Sequence, residues 1–362
     1  MRIVSILLLA GLLSACASTS DKARFSLALD TSTAAKKMVW PPESSAQVPR
    51  YFYLGRLVGD PNFIKPAPVP GSLRSFISVL AGIVFGEEPP RVLDRPQSGF
   101  VDERGRIYVS DIGHAGIFVF DENLGQLAYW DRAEEFTNFN TPVGIAVGPD
   151  GQIFVTDADL GLVARLDHQG KPLQPIGKGL LSRPTGLAYE PNSKRLYVTD
   201  TPAHQVKVFD LDGRLLSTIG TFGEGPAGLN YPTHLALRDG LLYVSDTLNA
   251  RIQVFSTVDG HHVRQIGKRG LFVGDQVRPK GVATDSEHNV YVVESNHDYL
   301  LIYNRLGEFL MAIGGVGSGI GNFYLPAGVW VDAKNRIFVA DMLNSRVAVY
   351  QFLGGDGEIQ NE

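Results

Sequence analysis

The sequence predicts an all-β protein whose body is a six-bladed β-propeller. The chain of 362 residues repeats one short phrase, in which an acidic residue closes an apolar stretch, at intervals of 46, 43, 46, 48 and 47 residues. A proline stands about fifteen residues before each acid, so every unit begins in the same way. Units of about 45 residues that cannot bury their apolar faces alone pack radially around an axis. The repeated acids are Asp111, Asp157, Asp200, Asp246, Glu294 and Asp341.

Each unit reads as four short strands, and the fourth unit illustrates the pattern. In its third strand Ile252 and Val254 alternate with the polar Arg251 and Gln253, which is the period-two pattern of a pleated strand. Asp-Gly pairs punctuate the chain at 150–151, 212–213, 239–240 and 259–260. The strands of this unit are predicted at residues 234–237, 241–246, 251–255 and 261–267.

The repeated phrases resemble NHL repeats over residues 95–352. The matching patterns are P-x-G-[IVL]-A, V-x-D-x-x-N-x-R-[IV]-x-V-[FY] and G-x-x-L-x-x-I-G. The middle pattern is complete only in units four and six, through Asn249 with Arg251 and Asn344 with Arg346. An acid at a strand end accepts backbone N–H groups of the next turn, and an arginine can brace that turn. We interpret these repeated acids, asparagines and arginines as scaffold.

The propeller is predicted to span residues 50–352 and to close with a strand from its own N-terminal side. Unit six ends after its third strand, and the tail 353–362 is a poor strand. Upstream, the letters of residues 51–63 echo the end of the fifth unit. We therefore expect residues 51–58 to supply the missing outer strand, which removes a bare edge.

One segment belongs to no unit. Residues 72–86, SLRSFISVLAGIVFG, place apolar side chains at helical spacing. We predict an inserted helix that packs across a mouth or side of the propeller. Its other face is also apolar, so a membrane-surface or partner-docking helix is the alternative.

The N-terminus predicts export and a lipid anchor. Residues 1–15 combine Arg2 with the apolar run IVSILLLAGLL, which is typical of a signal peptide. The ending LSAC at 13–16 resembles the bacterial lipobox, and this resemblance implies lipidation of Cys16 and membrane attachment. Residues 16–49 are interpreted as a tether. Ala17 is not the Asp that marks inner-membrane retention in that family, so the resemblance implies the outer membrane of a Gram-negative bacterium.

The charge and cysteine content of the chain limit which partners and covalent links are predicted. The formal net charge is −5 with acids and bases interspersed, and no basic stripe is present, so nucleic acid is excluded as a predicted partner. Cys16 is the only cysteine, which leaves no pair for a disulfide. We expect a monomeric domain attached to the membrane through its N-terminal lipid.

Candidate site residues are the rim side chains that depart from the repeat. His234 stands where most units carry glycine, and the others follow the repeated acids by three to five residues. The sequence contains no G-x-S-x-G, P-loop or H-E-x-x-H motif. The candidate binding rim comprises His114, His204, His234, His297, Asp298 and Tyr299.

No cofactor is predicted. The rival hypothesis is a metal-dependent enzyme, with zinc or calcium as the candidate metal. NHL-like propellers include a zinc-dependent lyase that collects its ligands near the blade-opening prolines, and other six-bladed propellers are lactonases. In this chain only His234 lies at such a position, whereas zinc needs three or four converging ligands. Residues 157–161 begin like a calcium loop, but His168 replaces its final Glu.

The sequence therefore favours an envelope binding module for a protein, peptide or glycan over an enzyme. This step depends on family analogy, since a fold does not determine a function. A metal-dependent lyase or lactonase that uses His234 is the first alternative. An accessory protein of an envelope electron-transfer complex is the second.

Overall fold

The computed structural model describes residues 22–29, 38–45, 47–66 and 89–354. Six antiparallel sheets form the blades, which confirms the predicted all-β propeller. The first strands of neighbouring blades contact one another in a closed ring from blade 1 through blade 6 and back to blade 1. These first strands therefore surround the central axis, and the fourth strands lie outermost.

Blades 1 to 5 each contain four strands in chain order. Blade 1 comprises Pro96–Val101, Ile107–Asp111, Gly116–Asp121 and Gln126–Trp130. Blade 2 comprises Pro142–Val147, Ile153–Asp157, Leu162–Leu166 and Pro172–Ile176. Blade 3 comprises Pro184–Glu190, Arg195–Asp200, Gln205–Phe209 and Leu215–Ile219. Blade 4 comprises Pro232–Arg238, Leu241–Asp246, Arg251–Ser256 and His262–Ile266. Blade 5 comprises Pro279–Thr284, Val290–Glu294, Tyr299–Tyr303 and Phe309–Gly314.

Blade 6 joins the two ends of the propeller. Its first three strands are Pro326–Val331, Arg336–Asp341 and Arg346–Phe352. The fourth is Tyr51–Leu57, which runs antiparallel to the third with Tyr51 opposite Phe352 and Leu57 opposite Val347. This is the stretch that the sequence predicts as the closing strand. A fifth strand, Val39–Trp40, pairs outside it.

The remaining elements are short. Small strand pairs lie at Arg24–Phe25 with Phe63–Ile64, Arg132–Glu134 with Thr137–Asn138, and Thr221–Phe222 with Gly228–Leu229. The described helices are 3-10 turns at Asp60–Asn62, Pro149–Gly151, Thr201–Ala203, Thr247–Asn249 and Met342–Asn344. None of the helices in the described ranges is long and apolar enough to cross a membrane. Cys16 and the predicted helix at 72–86 lie outside the described residues.

Two described pieces of the predicted tether are attached to the propeller, so the tether interpretation is wrong for them. The pairing of Arg24–Phe25 is reinforced by the Phe25 ring, whose centroid lies 5.4 Å from that of Phe63. The Trp40 ring lies 5.4 Å from the Tyr350 ring of blade 6. These contacts join residues far apart in sequence, which a local pattern does not reveal.

The core consists of apolar clusters between neighbouring blades. In each first strand, adjacent side chains point to opposite faces of the blade. Leu235 packs in the cluster between blades 3 and 4, whereas Ala236 packs against the cluster between blades 4 and 5. Because each blade buries both faces against its neighbours, the ring must close for the end blades to be covered.

The blades define two rims. Pro232 at the start of the first strand of blade 4 lies opposite Asp246 at the end of the second strand, and the other blades repeat this pairing. We call this side the acid rim. It also carries the turns after the repeated acids and the loops that lead into each next blade. The opposite rim carries the turns between the first and second strands and between the third and fourth strands.

Candidate functional site

The complete NHL phrase joins a turn to the loop that precedes its own blade. Asp246 is buried and accepts hydrogen bonds from the Asn230 backbone N–H, the Asn249 amide and Nε of Arg251, which is 2.8 Å away. The Arg251 guanidinium also donates to the carbonyls of Gly225 and Gly228. These contacts hold the loop entering blade 4 against the turn.

The same arrangement recurs in blade 6. Asp341 accepts from the Tyr324 N–H, the Asn344 amide and Nε of Arg346 at 2.7 Å. In blade 3 the arginine position holds Gln205, and Lys207, two residues further on, places its Nζ 2.7 Å from the Asp200 carboxylate. The repeated acids thus have structural roles. In blades 1, 2 and 5 the acid accepts hydrogen bonds from backbone N–H groups of the loop before the blade and of the turn after the acid. These acids are Asp111, Asp157 and Glu294.

A second repeated contact links neighbouring blades and was not predicted. The residue before the acid carries a hydroxyl in blades 1 to 4, and this hydroxyl donates to the carbonyl of the residue after the next blade's opening proline. Blades 5 and 6 carry Val293 and Ala340 at this position. The Ser/Thr-Asp dipeptide is the sequence signal for this contact. The donors are Ser110, Thr156, Thr199 and Ser245.

Two residues of the predicted binding rim hold the backbone of the loop that leads into the following blade. His204 and Asp298 are each the fourth residue after an acid and adopt left-handed φ values of 57° and 59°. The Tyr231 N–H donates to Nδ1 of His204 over 3.2 Å, and the Leu325 N–H donates to the Asp298 carboxylate over 2.6 Å. Both acceptors are therefore positioning residues for the loops ahead of blades 4 and 6. Burial raises the pKa of Asp298.

The other rim candidates lie apart. Nδ1 of His114 is 3.4 Å from the Asp111 carboxylate, and Nδ1 of His297 is 3.1 Å from the Glu294 carboxylate, each within its own blade. Tyr299 is partly buried against the cluster between blades 4 and 5. Among the residues that the structure describes, no three His, Cys, Asp or Glu side chains form a group that could hold a metal ion.

His234 occupies a buried place in the inner ring. At the same position Gly186 and Gly281 lie so close to the next blade that an added Cβ would come within 2.7 and 2.5 Å of its backbone. The His234 side chain is buried, and neither ring nitrogen has a hydrogen-bond partner within the described part of the chain. Burial, followed by the charge of Lys280, lowers the pKa of His234 to about 3, so the imidazole is neutral near pH 7.

Large apolar side chains are exposed on the acid rim of blades 4 to 6. Phe222 is 71% exposed, Leu271 85% and Phe272 84%. Such high exposure is unusual for several large apolar side chains on one side of a protein that binds no partner. The basic residues Lys268 and Arg269 lie just before Leu271 and Phe272 in the sequence. We call this set the apolar arc: Phe222, Tyr231, Leu248, Leu271, Phe272, Val273, Val316, Tyr324, Leu325 and Leu343.

Local geometry keeps the arc on the surface. The Asp275 N–H donates to the Phe272 carbonyl over 2.9 Å, and the Asp275 carboxylate accepts from the Phe272 N–H over 3.1 Å, so a tight turn presents the tip of this loop. Tyr231 and Leu325 have φ values of 50° and 51°, a region that bulky residues rarely adopt. The hydrogen bonds that the backbone N–H groups of Tyr231 and Leu325 donate to His204 and Asp298 stabilise these two conformations.

Comparison with known proteins agrees with the fold. A family model described as a 6-bladed beta-propeller matches residues 277–360, and an NHL repeat model matches residues 181–209. With the six blades, these matches define the class of protein. The chain is a six-bladed β-propeller whose third blade matches the NHL repeat.

The relatives have different activities. Rat peptidylglycine alpha-amidating monooxygenase is 31% identical over 167 residues, which cover 41% of this chain but only 17% of the rat protein. An auxiliary nutrient binding protein from Bacteroides thetaiotaomicron has a TM-score of 0.57 at 15% identity over 72% of this chain and 69% of that one. A gluconolactonase from Xanthomonas campestris has a TM-score of 0.56 at 17% identity over 72% and 86%. At these identities the solved structures show the fold alone.

Proposed function

We propose that this propeller is a lipid-anchored cell-envelope protein that binds a protein or peptide partner through the apolar arc. The exposure of the arc carries this proposal. Large exposed apolar side chains near charged residues are typical of a protein interaction site, because partner binding removes the apolar area from water. The basic residues beside Leu271 and Phe272 add charge at the edge of the surface, where they influence the rate and specificity of association.

The side chains of the arc favour a protein over a glycan. Most of them are leucine, valine or phenylalanine, which offer no hydrogen bonds to sugar hydroxyls. Aromatic side chains are enriched at protein interfaces, and the arc exposes four of them: Phe222, Tyr231, Phe272 and Tyr324. The loops carrying them are also set on a rigid ring, so little conformational entropy is lost when they dock.

The lipid-anchor hypothesis also predicts which way the apolar arc faces relative to the membrane. The carbonyl oxygen of Ala23 would lie 2.1 Å from a Cβ added to Gly125, which places the start of the described chain at the opposite rim of blade 1. From Cys16 to Lys22 the chain reaches at most about 20 Å. A lipid on Cys16 would thus hold the opposite rim near the membrane and direct the arc away from it. Cys16→Ala is expected to move the protein from the membrane fraction to the soluble fraction, and unchanged membrane association would contradict the anchor.

The binding proposal predicts the effect of a triple substitution. Phe222→Ser with Leu271→Ser and Phe272→Ser should release the protein from its complex when host membranes are extracted in mild detergent and run on a native gel. The changed side chains are exposed, so the free energy of unfolding should change by less than about 1 kcal/mol. Urea denaturation of the purified variant checks that condition.

The opposite rim supplies a matched control. Leu124, Val258 and Leu306 are 59%, 85% and 66% exposed there, so changing all three to Ser removes similar apolar area. This control variant should migrate with the wild type. If both triple variants lose the larger species equally, or if the wild type runs only as the free chain, the arc is not the binding surface.

A further inference from the structure

Two cation-forming side chains of the inner ring have no anionic partner among the residues that the structure describes. Lys280 follows the opening proline of blade 5, and His234 is two residues after the opening proline of blade 4. At this repeat position the backbone abuts the same position of the next blade, as Gly186 abuts His234 and Gly281 abuts Gly328, so His234 lies against the strand of Lys280. The Lys280 charge also lowers the pKa of His234. Lys280 is the one charged residue at its repeat position. The corresponding residues are Gln97, Val143, Thr185, Thr233 and Ala327.

The surroundings of Lys280 differ from those of the paired lysine in blade 3. Lys207 meets the Asp200 carboxylate at 2.7 Å. Burial, followed by the charge of Arg278, lowers the pKa of Lys280, and no acid acts against these effects. Within the described ranges, no carboxylate forms an ion pair with Lys280, and both nitrogens of His234 are buried without a partner.

These side chains favour an anionic ligand. A partly buried ammonium without a counter-charge is costly, and buried polar atoms nearly always have hydrogen-bond partners. An oxyanion would pair with both groups, because it supplies negative charge to Lys280 and accepts the one N–H of the neutral His234 imidazole. A metal cation is disfavoured at His234, since the neighbouring ammonium would repel it.

We infer that Lys280 and His234 form a binding site for a small oxyanion of the carboxylate type at the acid-rim end of the inner ring. This inference is independent of the apolar arc. The carboxylate can come from a small organic acid or from an acidic group of a docked partner. Both sources present the same chemistry to the two side chains.

Lys280→Met tests the site in the purified propeller with acetate as the probe and chloride as the reference at equal ionic strength. In wild type, acetate at ten times its dissociation constant should raise the melting temperature by about 2–4 °C. The variant should lose this difference. In chloride it should melt above wild type, because methionine replaces the uncompensated charge with an apolar chain of similar length.

Lys207→Met is the matched control, since it removes a lysine that has its acid. It should melt below wild type and keep the acetate response. His234→Gln, which retains an N–H donor, should keep part of the response, whereas His234→Gly should weaken it further. An acetate response that persists in Lys280→Met, or a wild type that responds equally to acetate and chloride, would overturn the inference.

The native-gel assay distinguishes the two sources. If the partner supplies the carboxylate, Lys280→Met should also weaken the complex, and this result supports the site as part of the interface. If a free acid is the ligand, the complex should persist while the acetate response disappears. The second result supports the site without linking it to the partner.

Discussion

Removal of residues 51–57 is expected to unfold the propeller at temperatures where the wild type is stable, with aggregation. This strand carries Tyr51, Tyr53 and Leu57 into the clusters that join blade 6 to its neighbours. Losing one such side chain costs about 2–5 kcal/mol, and the deletion removes all of them together with the backbone pairing to Arg346–Phe352. It also exposes the long edge of that strand, which promotes association between chains. Scanning calorimetry with light scattering measures both effects.

Truncation after Gly354 is the control for this deletion. The outer position of blade 6 is already filled by Tyr51–Leu57, so removing residues 355–362 should leave the melting temperature unchanged. A tail truncation that destabilises the protein as much as the strand deletion would show that closure depends on the tail as well.

Asp341→Ala is expected to lower the free energy of unfolding by about 3–5 kcal/mol, the usual result of breaking a buried ion pair. Arg346 would then be left buried beside carbonyl groups without its carboxylate. Burial raises the pKa of Asp341, so the desolvation of the carboxylate outweighs the bonds that favour its charged form. The pair is therefore costly to bury, and the large effect arises when one partner remains alone.

A double-mutant cycle separates these contributions. Asp341→Ala combined with Arg346→Met should be less destabilising than the sum of the single changes. Glu134→Ala provides a surface comparison, because its partner Lys178 lies 2.9 Å away but is well exposed, and its loss should change stability by less than about 1 kcal/mol. Additive effects at the buried pair would mean that Arg346 finds other partners.

The repeat made the scaffold predictable. Each blade needs the same buried acceptor at the end of its second strand, so an acid recurs at a fixed place. The predicted second strand of unit four, 241–246, is found at Leu241–Asp246. The first strand, predicted at 234–237, extends over Pro232–Arg238, because proline can occupy the first position of a strand.

Pairings without a pattern were not predictable. Val39–Trp40 joins blade 6 through only two residues, which is too short for alternation to show. The stretch around Phe25 depends on Phe63, which lies nearly forty positions further along the chain. Short pairings of this kind depend on the surface they meet, and that surface exists only after the propeller has closed.

The candidate site was predicted less well than the scaffold. His204 and Asp298 depart from the repeat, yet their side chains hold the next blade. Their position after the acid is occupied by Gly161 in blade 2, which is the sequence signal for its left-handed backbone. The exposure of Leu271 and Phe272 could not be inferred, because apolar letters in a loop resemble core residues until the turn is known.

Photo-crosslinking in the cell tests the binding proposal most directly. A photoreactive phenylalanine analogue at Phe222 or Phe272 on the acid rim is compared with the same analogue at Val258 or Leu306 on the opposite rim, at matched expression. The proposal predicts one adduct of defined mass from both acid-rim positions and none of that mass from the control positions. Adducts that form equally from both rims, or only from the opposite rim, would contradict the assignment of the apolar arc as the partner-binding surface.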